Sequence, residues 1–554
     1  MPVTLNLDHV ETDVLVLGGG LSGYRAALAA SNAGANVTIA YRARGASPYV
    51  SGFNVPLGHA DPRDSPQSYF DDMVRGGYGL NDRRLVRALA DKAVEAFNDL
   101  LRYGVKFTQV EGADRDGENR FRQRHLSGNT YPRSVYIAAG TGRAILKALV
   151  TQADSSGVRS IIGHKVVDLL RDGESVVGAL LWKHHSETLV VVRARSVVIA
   201  MGGIGRLYSD STYPPDVSAD SFGLAFQSGA RLIDMEFVQF EPVVTIWPED
   251  CRGMEMPTAM FGDGVQLRNA EGERFMLRYN PPDAERGIEK AKMSLIIQKE
   301  IDEGRGFPGG GILFDTTLVS RDKLEGYVTH CTRLRAAGVD PAIHSPIVAP
   351  AAHSIMGGVA IDERGWSGIP GLYVGGEAAG GLHGASRLAG NGSSDTIVFG
   401  DIAGRGAVAG LPENKIRAWD KIEAQATAIF ASGGAEFSMW PQKKNSIRKI
   451  LSQHAAIWRS DDSLLKGIEA LEKLCSETEN ITGATIPQIV GSLETRRMAI
   501  TGQIILRAAR LRTESRGAHQ RTDYPLTDDA NWLRHTSLRQ AADGGILEET
   551  AALQ

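Results

Sequence analysis

The sequence predicts an α/β chain in which a parallel-sheet domain is interrupted by an inserted α+β cap and followed by a C-terminal helical region. Three observations predict it. Residues 13–42 read as strand, glycine-rich turn, helix and strand. A second run, residues 368–404, reads as strand, acid, glycine-rich loop and helix. From about residue 413 onward, apolar residues recur at helical spacing, as in SLLKGIEALEKLCSE and LETRRMAITGQIILRAARLR.

The first unit is the strongest local signal. Val14–Leu17 is an apolar run suited to a buried parallel strand. Gly18, Gly20 and Gly23 follow in GxGxxG spacing, and an alanine-rich helix pattern begins at Leu21 and Ser22. Val37–Ile39 then closes a Rossmann-like βαβ unit. Its glycines permit the tight turn, close backbone approach to a pyrophosphate, and tight helix–strand packing. The helix N-terminus offers free N–H groups to phosphate. A glycine turn without a ligand is the plain alternative, but the position between strand and helix favours a dinucleotide. The second strand ends in AYRAR, with no acid. Arg42 stands there and can meet a phosphate, so this motif alone does not separate FAD from NADP.

In the downstream run, LYVGGE reads as a strand and turn, with Gly376 and then Glu377 at the tip. GNGSSDTIVFGDIAG reads as a helix start, with Gly392 and Ser393 in its first turn. A helix N-terminus aimed at a flavin stabilises the negative charge of its reduced form. In VVIAMGGIGRLY, a strand leads into Gly202-Gly203, another close backbone approach.

The bulk composition bounds the function. At 554 residues the chain is too long for one core. Net charge is −4 with no long basic block, so neither nucleic acid nor an anionic membrane is expected as a partner. No apolar run is long enough to span a membrane. The three cysteines, Cys251, Cys331 and Cys475, lie far apart in no metal or cluster spacing, and no metal site is expected. With no basic-then-apolar leader pattern at the N-terminus, the expected compartment is the cytoplasm.

Several long motifs in order, including GGGLSGYRAALAA, VVIAMGGIGRLY, ARLIDMEFVQF, AHSIMGGVAID and RTESRGAHQRTDYPLTDDANWLRHT, resemble the flavoprotein-subunit family of succinate dehydrogenase, fumarate reductase and L-aspartate oxidase. The resemblance covers most of the chain. It implies an FAD-binding domain of residues 1–234 and 346–412, a capping domain of 235–345 and a C-terminal helical domain and tail of 413–554. It places Gly18, Gly20, Leu21, Ser22, Gly23, Arg42, Gly52, Gly202, Gly203, Asp220, Gly376, Glu377, Arg387, Gly392 and Ser393 at FAD. Respiratory members attach FAD through a His shortly after the second strand. RGASPYVSGFN has none there, and His59 lies farther on, so non-covalent FAD is expected.

The resemblance also implies a small-molecule substrate held by its carboxylates. His353, in AHSIMGG, and Arg387, in HGASRLAGN, match anion-binding positions. Other positions depart. Where the family reads QFHPT, this chain has Gln239-Phe240-Glu241-Pro242-Val243. AMFGDGVQ replaces the EGxRGEGG relay, and Lys290 aligns with the Arg of an RDxxS element, with Arg286 nearby. A Glu facing a second carboxylate is strongly unfavourable. The expected substrate therefore carries one carboxylate, with Lys290, together with Glu241 or Arg286, serving proton transfer. Glu241 in a merely internal ion pair is the plain alternative. An L-aspartate oxidase-like or adenylylsulfate reductase-like reaction also stands open. So does an electron-relay subunit whose iron–sulfur partner is another polypeptide. Glu236 and Gln239 are expected to organise the cap hinge or flavin surroundings, Asp263 offers part of a proton path, and His383 is read as structural. Glu514, Arg516, His519 and Arg521 are expected to form a network between domains or subunits.

Overall fold

The computed structural model describes residues 5–110, 120–184, 186–412, 419–431, 440–477 and 485–553. The first strand, Asn6–Leu17, sends Leu15 and Leu17 into one core and Val14 and Val16 into another. Two-sided burial makes it a central strand. It pairs in parallel with Val37–Tyr41 and Thr188–Ile199 in a seven-stranded sheet. Arg159–Ile162 and Leu372–Val374 join in parallel, and Ser175–Lys183 and His164–Asp172 extend the sheet antiparallel. Helix Leu21–Asn32 packs on helix Asn391–Ala409 at a backbone approach that only glycine allows. A Cβ on Gly404 would lie 2.2 Å from the Ala26 carbonyl oxygen.

The cap is a four-stranded antiparallel sheet with its own core, including Phe261, Phe275, Ile297 and Phe314. Its strands are Val238–Trp247, Ile347–Ile355, Ile312–Asp315 and Gln266–Arg268. The sequence places the end of the cap at 345. The structure carries the cap sheet on to 355, because Ile347–Ile355 is the ladder partner of Val238–Trp247. The chain crosses between sheets at Asp234 and Gly357, side by side. A Cβ on Gly357 would sit 2.2 Å from the Asp234 carbonyl oxygen.

Helices Trp440–His454, Asp461–Ser476 and Ile486–Leu511 pack on the first domain, but the C-terminal region is not wholly helical. Arg534–Gln540 and Ile546–Ala552 form a hairpin whose first strand pairs with Leu232–Ile233, next to the crossing. Among the described residues no helix is long and apolar enough to cross a membrane.

A buried ionic network ties this tail to the crossing. Arg512 donates to Glu236 at 2.6 Å and to Glu514 at 2.9 Å, Arg516 donates to Glu514 at 2.7 Å, and Thr536 donates to the other Glu236 oxygen at 2.7 Å. His535 meets Asp234 at 2.5 Å. His519 lies between Arg459 and the Arg512 carbonyl, and burial holds it well below the usual imidazole range. Glu514, Arg516, His519 and Arg521 are thus interior residues that join elements of one chain. Glu236→Ala removes one of the carboxylates that neutralise buried Arg512 and leaves Glu514, and denaturant unfolding should show a loss of about 1.5–3 kcal/mol. A loss within about 0.5 kcal/mol, typical of a surface change, would show that the network does not hold the crossing.

Candidate active site

Gly18 has φ +122°, and a Cβ there would lie 2.1 Å from the Ala200 carbonyl oxygen. A Cβ on Gly23 would lie 1.9 Å from the Gly18 oxygen. These contacts hold the turn against two strands and set the N-terminus of helix Leu21–Asn32, which has no side-chain cap. Ser22 Oγ is buried there without a hydrogen-bond partner, 3.1 Å from where a Cβ on Gly376 would stand. Helix Asn391–Ala409 likewise starts at Gly390 with no side-chain cap. Two uncapped helix starts, an unsatisfied buried hydroxyl and glycine walls fit a dinucleotide with a pyrophosphate, as FAD has.

Other expected cofactor residues are placed as follows. Glu377 accepts from Tyr213 and from the Ile355 N–H, and Gly203 leaves it room, since a Cβ would come 2.6 Å from its carboxyl carbon. Ser393 donates to the Gly52 carbonyl, and Gly392 lies beside the Arg387 guanidinium. Asp220 is taken up by Arg497 at 2.7 Å, and its neighbour Ser221 holds the Gly202 carbonyl at 2.8 Å. Arg42 is exposed. Arg44 donates to the Gly19 carbonyl at 3.3 Å and lies over the rings of Tyr24 and Tyr41. His59 Nδ1 accepts from the Phe121 N–H at 3.1 Å.

At the cap side, bulges aim the polar residues. Gln239 pairs with Ser354 and Phe240 with Ala352, so His353 is the extra residue of a bulge. Pro242 has no N–H to donate, and the register shifts again between Glu241 and Val244. Helix Lys290–Glu300 docks on this strand through Ser294, which donates to the Phe240 carbonyl at 2.9 Å. Its first residue, Lys290, puts Nζ 2.8 Å from both Glu241 oxygens and 3.4 Å from Glu255. His353 Nε2 is 4.0 Å from Glu241, and Nδ1 is 2.9 Å from Thr212 Oγ1. The Glu241, Glu255 and His353 ligand atoms lie within 4.8 Å of one another, but the Lys290 ammonium already fills the cation position. Arg387 donates to Ser354 at 3.3 Å and to the Leu388 carbonyl at 3.4 Å, and it makes no ion pair among the described residues.

Exposure is graded along the cluster: the Glu241 side chain is 1% exposed, Lys290 27% and Glu255 41%. Burial and the Glu255 charge, outweighing Lys290, push Glu241 up to about 7. Burial would lower Lys290, but Glu241 and Glu255 carry it to about 12. Burial would raise Glu255, but Lys290 and His353 hold it below the usual range. Burial, against the opposing charge of Glu255 and with help from Arg387 and Lys290, drops His353 to about 4, so it is neutral at pH 7. Glu241 is thus the group of this cluster that can exchange a proton near neutrality.

Not every expected residue reaches the cluster. Arg286 is exposed and four residues outside the helix start, so Lys290 alone meets Glu241. Asp263 is bound by Tyr327 at 2.6 Å and Lys323 at 3.2 Å. Gln239 makes only long contacts, at 3.4 and 3.5 Å, to Arg387 and Ser386, and His383 sits 3.4 Å from Asp395. Glu255 and Thr212 are members that sequence reading missed. No local pattern marks either; a bridge of Glu255 to Val244 and one of Ser211 to Ala352 bring them in.

Residues 13–393 match the family described as FAD binding domain, and residues 444–550 match Fumarate reductase flavoprotein C-term. The chain is 34% identical to a CoM/CoB fumarate reductase subunit of Methanothermobacter marburgensis, over 96% of this chain and 97% of that protein. It is 30% identical to L-aspartate oxidase of Streptomyces coelicolor, over 98% and 93%. Its fold superposes on that of an E. coli quinol fumarate reductase chain with TM-score 0.88 at 27% identity, over 99% and 97%.

Gly203→Ala should push the Glu377 carboxyl aside and lower the flavin retained on purification severalfold, while unfolding free energy falls by only about 1–3 kcal/mol. Full flavin content in this variant would show that Glu377 does not hold the cofactor.

Proposed function

The chain belongs to the FAD-dependent oxidoreductase family of fumarate reductase, succinate dehydrogenase flavoprotein and L-aspartate oxidase, and from that premise we propose that it moves hydride between non-covalent FAD and a small molecule with one carboxylate, at a carbon–carbon or carbon–heteroatom bond. FAD, when bound, supplies the two-electron carrier. The observation that carries the reading is the Lys290–Glu241 pair. With Glu255 ionised and Glu241 either protonated or charged, the wall around Lys290 has no net positive charge to offer a second carboxylate. Arg387, which has no acidic partner among the described residues, supplies a clamp for the first. Neutral His353, held by Thr212, orients the bound molecule by hydrogen bonding.

Proton movement follows the graded exposure. Buried Glu241 exchanges a proton at the reacting end, while Lys290, pushed up to about 12, stays charged and holds it in place beside the more exposed Glu255. This chain's own residues thereby replace the arginine-containing relay that the family resemblance led one to expect. A second reading, favoured by the methanogen relative that is itself named as one subunit, makes the chain one part of an assembly with an iron–sulfur or other electron-transfer subunit. We take the protein as cytoplasmic, in keeping with its free cysteines.

Followed anaerobically, flavin bleaching should be faster with mono-carboxylates, amino acids or hydroxy acids than with succinate, and Glu241→His should raise affinity for dicarboxylates. Equal rates for succinate and the best mono-carboxylate, with no gain in Glu241→His, would contradict the reading. The pH profile gives a second check. In the direction that takes a proton from substrate, kcat/KM should rise with pH through about 7, because Glu241 must be unprotonated. In the reverse direction it should fall through the same value. Glu241→Gln should remove both inflections; a profile unchanged by the substitution would assign the proton to another group.

A further inference from the structure

On the far side of the loop that carries Thr212 and Tyr213 lies a pocket of about 470 Å³, lined by Arg206, Ser209, Pro215, Asn445, Arg448 and Lys449. It sits between this loop and helix Trp440–His454. Its volume is within the range of small-ligand sites. Three of its six lining residues are cationic and none is acidic. Arg206 makes no side-chain hydrogen bond or ion pair among the described residues, and its Nε is buried without a partner. Of the loop's acids, Asp210 is committed to Arg252 at 2.7 Å and Asp216 accepts from the Gly45 N–H at 2.9 Å. Arg448 is fixed by donating to the Arg206 carbonyl at 2.9 Å and to Asn445 at 2.8 Å, neither of them a charge partner. Burial and the neighbouring Arg448 charge lower Arg206, outweighing the opposing pull of Asp210.

We propose that this pocket binds a small diphosphate-bearing anion. A lone carboxylate balances one cation and leaves two repelling each other. A diphosphate can balance all three, and two guanidinium groups suit its oxygens. The pocket's lining shares no residue with the glycine-lined cradle, whose walls are Gly18, Gly23 and Gly376. Its loop also carries Thr212, bound to His353, and Tyr213, bound to Glu377, so an occupant grips the segment that positions both.

Calorimetric titration of the FAD-loaded enzyme with inorganic pyrophosphate, at constant ionic strength, tests this with the cofactor cradle filled. The expected result is one saturable site, bound more weakly by about tenfold in Arg206→Gln and in Lys449→Gln, as loss of a charge-assisted bond implies. Flavin content should stay at the wild-type level. Lys449 is exposed on its helix, so Lys449→Gln preserves the test should Arg206→Gln fold poorly. No saturable binding by the wild type, equal binding by folded variants, or sulfate binding as tightly as pyrophosphate would overturn the proposal.

Discussion

A carboxylate buried to 1% exposure must be neutralised, and in this protein Glu241 is neutralised from inside by Lys290. That constraint organises the site. On the reading proposed above, Lys290, held by two acids, does not serve a ligand's anion and Arg387 does. The two ends of the site therefore differ in character, one a guanidinium clamp and the other a proton-exchanging acid close to neutrality.

The placement of the pair depends on the cap. Helix Lys290–Glu300 and strand Val238–Trp247 are both cap elements, locked together by Ser294, whereas Arg387 belongs to the cofactor domain. Any movement of cap against domain changes the distance between clamp and acid. The crossing at Asp234 and Gly357 is the natural pivot, and the buried Arg512–Glu236–Glu514 network braces it against the C-terminal hairpin. The tail thus bears on the site through the crossing and through Ala518, whose N–H donates to the Ala385 carbonyl at 2.9 Å, two residues before Arg387.

Much of this was legible in the sequence. The first strand–glycine turn–helix–strand unit and the strand leading to Gly376 and Glu377 could be read because local spacing sets them. Arg42 and Arg286 show where local reading stops. Each is exposed, while the neighbouring Arg44 lies over Tyr24 and Tyr41 and Lys290, at the helix start, meets Glu241. Glu255 was invisible for a different reason. Its segment has no periodic pattern, and a single bridge to Val244 brings it to Lys290. The cap boundary was misplaced likewise, since strand pairing at Ile347–Ile355 is a long-range property.

The central claim is that the Lys290–Glu241 pair persists when ligand binds, leaving one anion clamp. A crystal structure of the FAD-loaded enzyme with a turnover-competent carboxylic acid tests this most directly. The account predicts a carboxylate on Arg387, an uncharged group facing Glu241, and Lys290 still on both Glu241 oxygens. A dianion spanning the site, with Lys290 swung from Glu241 onto a second ligand carboxylate, would contradict it.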